Sequence, residues 1–189
     1  MSVRQVVRKA GPAAVLISFI LMAAAWVWLT GGSFNVRAFR QQSSAMTGAV
    51  FPGDFFVTDL SHRSVIRGAV VVISCRGVDN LWCVTRVIGL PGDTVAVRGH
   101  HALVNGKPLD EPYVLIVASP ETDSVANRKP VVVPPDHIWV LGDNRSESYD
   151  SRFWGFAPLS AVRGRPIAVY WSWERGGGVR WSRIGHRIR

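Results

Sequence analysis

Lysine is nearly absent from this chain. Of its 189 residues only Lys9, Lys107 and Lys129 carry an amine side chain, although lysine and arginine together number 22. The formal charge of +9 is therefore almost wholly arginine, whose guanidinium stays protonated and cannot act as a base. Cysteine is as scarce, with only Cys75 and Cys83. The five histidines, His62, His100, His101, His137 and His186, are scattered, and no His, Cys or carboxylate grouping has metal-ligand spacing. No metal and no cofactor is expected. Internal repeats and low-complexity tracts are also lacking.

Charge is missing from one long stretch near the start. Residues 11–31 reach the length of about 20 residues that a helix needs to cross a bilayer, and Trp26 and Trp28 sit where an interfacial aromatic belt would lie. Ala23–Ala25 raises the alternative of a cleaved signal peptide. The apolar run continues past those alanines through Leu29, which favours an uncleaved anchor. The expected organisation is a cytoplasmic tail at 1–10, a transmembrane anchor at 11–31 and one domain at 32–189. Arg4, Arg8 and Lys9 before the span, against Arg37 and Arg40 after it, give a slight bias for a cytoplasmic N-terminus. A domain outside the cytoplasm would rarely meet nucleic acid, so anionic lipid headgroups are the better partner for the basic charge. Arg175, Arg180, Arg183, Arg187 and Arg189, with Trp171, Trp173 and Trp181, read equally as a membrane-surface segment or as a last strand and solvated tail.

Helical periodicity disappears beyond the span. Short β-branched runs (Val57, Val65–Ile66, Val70–Ile73, Val84, Val87–Ile88, Val95–Val97, Val131–Val133, Ile138–Val140) alternate with Gly, Pro, Asn and Asp turns. Asn105-Gly106 is a strong hairpin signal. The pattern predicts a mostly antiparallel β-domain, with Ala118–Pro130 as a solvent loop. Cys75 and Cys83 flank a short turn between two such runs, and a disulfide or two buried thiols both fit.

A dense polar run, Gly142 to Gly155, follows the predicted strand His137–Leu141. Its Asn and Asp residues close turns through their own side chains, and Arg145 and Arg152 can clamp carboxylates such as Asp143 and Asp150.

That run, read as G-D-N-R-x-x-S-x-D-S-R-x-W-G, resembles the signature of type I signal peptidases, membrane-bound serine endopeptidases that remove secretory signal peptides. Arg86–Asp93 is similar to the family's R-V-x-G-L-P-G-D block. Ser43-Ser-Ala-Met46 with Gly53-Asp54 is similar to its nucleophile segment. The resemblance implies a folded antiparallel β-domain outside the cytoplasm, held to the inner (plasma) membrane by a single N-terminal helix. It also implies a serine nucleophile directly before Met46 and a lysine base directly before Arg86. A lysine can deprotonate a serine only if desolvation keeps the amine neutral. Here Ala45 holds the nucleophile position and Thr85 the base position. Ser43 stands where the family's oxyanion-hole serine is found, and Ser148 where a serine orients the lysine. Met46, Arg86, Gly142, Asp143, Asn144, Arg145, Asp150, Ser151 and Arg152 match the scaffold positions.

Whether the chain is an enzyme is therefore open. One reading is a non-cleaving homologue that binds signal peptides or exported preproteins. The other is an active endopeptidase with a relocated nucleophile such as Ser44, or Thr85, with His62 or Lys129 as base. A one-residue slip in extended chain would turn Ser44 to the opposite face. A third and weaker reading keeps the motif segments for fold stability alone.

Overall fold

The computed structural model describes residues 35–75, 81–116 and 127–189. The expected anchor and cytoplasmic tail lie outside these residues, and no helix among those described is long and apolar enough to cross a membrane.

The β-branched runs form strands where turn residues interrupt them. In chain order they are β1 (Val36–Arg40), β2 (Asp54–Asp59), β3 (Val70–Ser74), β4 (Trp82–Gly89), β5 (Thr94–Arg98), β6 (His101–Val104), β7 (Lys107–Pro108), β8 (Arg128–Val132) and β9 (His137–Leu141). A one-turn helix, α1 (Ser151–Trp154), then precedes β10 (Ala157–Pro158), β11 (Val162–Glu174) and β12 (Gly178–Val179). One sheet runs in the order β1-β2-β11-β3-β4-β9-β10, with β12 on β11, and a smaller one runs β7-β6-β5-β8. All of these pairings are antiparallel, as the sequence predicts.

The continuous apolar run of β3 is explained by burial on both faces. Val70 and Val72 join Met46, Val50, Phe56 and Ile188 in one core, while Val71 and Ile73 join Val87, Ile138 and Val140 in a second. Ile88, Trp139 and Leu141, one residue out of step with Val87 and Val140, pack with Val95, Val97 and Val104 of the small sheet in a third. The period of two along each strand thus deals side chains to different cores. Burying each valine contributes about 1.5–3 kcal/mol.

Three sequence expectations need correction. Val65–Ile66 is not a strand, although Val65 packs against the second core. The polar loop ends at Asn127 rather than Pro130, because Arg128 pairs with Val97 and starts β8. Pro130 is tolerated there because β8 is an edge strand. The C-terminal segment is neither a solvated tail nor wholly membrane-like. Arg180 and Arg183 turn inward onto the fully buried Asp54, Arg183 at 2.7 Å, and Ile188 fills the first core. Asn105 and Gly106 make the expected tight hairpin, both with positive φ. Cys75 and Cys83 form a disulfide across the ends of β3 and β4, their Cα atoms 5.4 Å apart, which settles the alternative left open by the sequence.

Candidate functional site

The segment Gln41–Val50 between β1 and β2 is a succession of turns, tied by Thr47 N–H to Ser44 O (2.9 Å) and Val50 N–H to Met46 O (2.8 Å). The premise that Ser44 lies in extended chain is therefore wrong. Its side chain still parts from Ala45, because the Ser44 hydroxyl donates to the exposed Glu147 carboxylate. Buried Met46 roots the segment in the first core. Gln41 steadies its start, its amide donating to Ser43 O at 2.8 Å and to Ser43 Oγ at 3.2 Å. Gly53 closes the segment with φ +87°, where a Cβ would lie 2.0 Å from Trp173 O. Only glycine fits.

The polar run is built on ion pairs. Asp150 caps α1, accepting from Arg152 N–H, and holds the Arg152 guanidinium at 2.8 and 2.9 Å. Its other task is to accept the Gly142 N–H at 3.0 Å, and Ser151 Oγ accepts the Val140 N–H at 3.0 Å. The expected clamp of Asp150 by Arg152 is present, but Asp143 pairs elsewhere. Arg86 grips it bidentately at 2.7 and 2.6 Å, donates to Gly68 O and Arg189 O, and lies 3.8 Å from the centre of the Tyr113 ring. Arg145 is fully buried against Glu111 and donates to the carbonyls of Gly142 and His100. Burial pushes the Asp143 carboxyl above the usual carboxylate range, against the pull of Arg86. Burial and the nearby Glu111 charge push the Tyr113 hydroxyl up as well.

These networks bring three distant pieces of chain together. Asn144 N–H donates to Ala45 O at 3.0 Å. A Cβ on Gly142 would lie 2.2 Å from Ser148 Oγ and 2.6 Å from Ala45 O, so the box and the Gln41–Val50 segment touch through a position that admits no side chain. Ser43, Ala45, Thr85 and Ser148 all line one cleft of about 480 Å³, whose walls include Ile73, the Cys75–Cys83 disulfide, Trp82 and Trp154. Thr85 is buried, and its hydroxyl donates to Leu141 O at 3.1 Å. Ser44 is not among the cleft-lining residues. His62 lies near an exposed Asp59, 2.8 Å from its carboxylate, and Lys129 is on β8 of the other sheet. Neither lines the cleft.

The edge of β4 gives the cleft its character. Strand β9 pairs with β4 only from Arg86 to Gly89. The backbone of Trp82–Thr85 has no strand on that side among the described residues, and all four of these residues line the cleft.

The family model for signal peptidase, peptidase S26, matches residues 13–171. The chain belongs to this family. Signal peptidase I of Leptolyngbya laminosa is 46% identical over 94 residues, covering 50% of this chain and 43% of that protein. Signal peptidase I of Mycobacterium tuberculosis (strain ATCC 25618 / H37Rv) is 35% identical over 140 residues, covering 64% and 48%. The chain thus spans about half the length of the curated relatives it matches. A crystal structure of a signal peptidase I from Enterococcus faecalis V583 has 28% identity and a TM-score of 0.46, covering 54% of this chain and 96% of that one.

Sequence reasoning missed Glu111, Glu147, Gln41 and the Arg180–Asp54–Arg183 group. Glu147 sits inside the polar run, and its spacing from Ser148 was the available signal. The others are set by contacts between strands far apart in the chain.

Proposed function

We propose that this signal-peptidase family member binds the extended, small-residue segment of exported preproteins at the membrane and does not cut it. The observation that carries this reading is the cleft in which an open strand edge, Trp82–Thr85, runs beside Ala45 and Thr85. An extended peptide can add to such an edge through main-chain hydrogen bonds, with alternate side chains entering the cleft. By resemblance, Ala45 stands for the nucleophile and Thr85 for the base. A methyl group cannot attack a carbonyl, and the Thr85 hydroxyl is engaged with Leu141 O. Ser43 and Ser148 keep their places beside this site, and the buried ion pairs hold the scaffold around it. The uncleaved anchor at 11–31, with its N-terminus in the cytoplasm, belongs to the same proposal. So do lipid contacts: Trp171, Trp173 and Trp181 are all exposed, as interfacial indoles would be.

A second reading makes Ser44 the nucleophile of an active endopeptidase, favoured by its hydrogen bond to Glu147. An exposed carboxylate is a weak base for a hydroxyl, and Ser44 points away from the cleft's lining, so we rank this reading lower.

The test incubates the membrane-embedded protein with a preprotein carrying an Ala-x-Ala site, while a photocrosslinker in that site reports binding. Crosslinking without cleavage is the expected result. Turnover that vanishes in Ser44→Ala would overturn the non-cleaving reading. The double change Ala45→Ser with Thr85→Lys should create cleavage if the scaffold is intact.

A further inference from the structure

The cleft is electrically uneven. On its box side Asp150 is matched by Arg152, and Glu147 accepts the Ser44 hydroxyl. At the other end stands the indole of Trp82, with two guanidinium groups against it: Arg37 at 4.6 Å and Arg163 at 6.0 Å from the ring centre. Arg40, on the same strand as Arg37, also lines the cleft. Elsewhere the domain gives its inward-turned arginines carboxylates, as with Arg67, Arg86, Arg145, Arg152, Arg180 and Arg183. Among the described residues, Arg37, Arg40 and Arg163 have none. They rest instead on Phe39, Trp82, Phe55 and the Ser74 hydroxyl. Aromatic faces attract each cation, but they do not cancel the repulsion between like charges gathered at one indole. A bridging anion would.

We infer that this end of the cleft is an anion subsite that takes an aspartate or glutamate side chain of the bound polypeptide. This rests on the peptide-binding reading above. Trp82 is both the platform for the cations and the first residue of the open edge, so an added strand that reaches Thr85 also passes the arginines. At about 3.3 Å per residue, the acidic residue falls within about four positions of the residue opposite Thr85. The continuity of Trp82 with the strand edge favours a peptide over a lipid headgroup as the source of the anion.

The experiment measures binding of fluorescent alanine-rich peptides to the full chain in detergent, one with glutamate at both flanks and one with glutamine there. The glutamate peptide should bind about threefold to tenfold more tightly at low salt, and the preference should shrink as salt rises. In the double variant Arg37→Gln, Arg163→Gln the preference should disappear, with glutamine-peptide affinity and melting temperature unchanged. Equal affinity of the two peptides for the unaltered protein would overturn the subsite while leaving peptide binding in place. Binding of neither peptide would sink the peptide reading and the subsite with it. If the double variant loses affinity for phosphatidylglycerol vesicles yet keeps the glutamate preference, the cations serve headgroups and the inference is wrong.

Discussion

The carbonyl oxygen of Ala45 accepts the amide hydrogen of Asn144 at 3.0 Å. That bond fixes the turn segment against the polar box, and beside it the α-hydrogen side of Gly142 faces Ser148 Oγ and Ala45 O. Gly142→Ala should therefore force these two pieces apart. Overpacking of this kind costs about 1–3 kcal/mol, so the urea midpoint should fall and peptide crosslinking should weaken with it. An unchanged midpoint would show that the segment yields freely.

The Asp150–Arg152 pair is fully enclosed, and Asp150 also caps α1 and holds Gly142 N–H. Removing either charge strands the other. Asp150→Ala or Arg152→Ala should each destabilise the domain by about 3 kcal/mol, read from chemical unfolding. Equal stability of both variants and the parent would contradict the pairing.

How much of this was legible beforehand follows from the range of each interaction. Asp150 and Arg152 are two residues apart, and their pairing could be read from the polar run. Arg86 and Asp143 are 57 residues apart, and Arg145 with Glu111 34 apart. Only the sheet order decides which of several arginines meets which carboxylate. The strands were visible because β-branched runs between turn residues have few alternatives. Val65–Ile66 looked the same but found no partner strand. The positions of Ala45 and Thr85 could be read from short motifs, whereas their meeting in one cleft depends on β4 passing under the box.

Reducing the Cys75–Cys83 disulfide should loosen the wall of the cleft. The bond closes a loop with a sequence separation of 8, for which the chain-entropy cost is about 2 kcal/mol. Dithiothreitol should lower the urea midpoint of the parent protein and leave that of Cys75→Ser, Cys83→Ser unmoved. A midpoint indifferent to reductant would mean that the bond adds no stability.

Acid should weaken the fold through two carboxylates. Hydrogen bonds from Ser61, with help from His62, hold the Asp59 carboxyl down at about 2. Burial would raise Asp93, but the Arg67 side chain, the Leu90 N–H and the Asn105 amide outweigh it and leave it below its ordinary value of 3.8. The folded protein binds these protons more weakly than the unfolded chain does. Their stabilisation is thus complete above about pH 4 and is lost as the pH falls towards 2. Asp93→Asn should be less stable than the parent at pH 6, and the gap should narrow at pH 3. A gap that stays constant between the two pH values would refute the assignment.

The pairing of β2 with β11 has a kinetic consequence. Asp59 meets Arg165, and Asp54 meets Ser172, so one of the earliest strands in the domain waits for one of the last. As the chain emerges N-terminus first, β2 can pair with β1 at once, but its other edge stays open until most of the sequence has followed. Contacts so distant along the chain make for slow folding and a long-lived unpaired edge. Refolding after dilution from urea should be governed by the closure of this seam, with mispaired, aggregating species as its competitor, and the arginine-rich charge would help to keep such waiting chains apart.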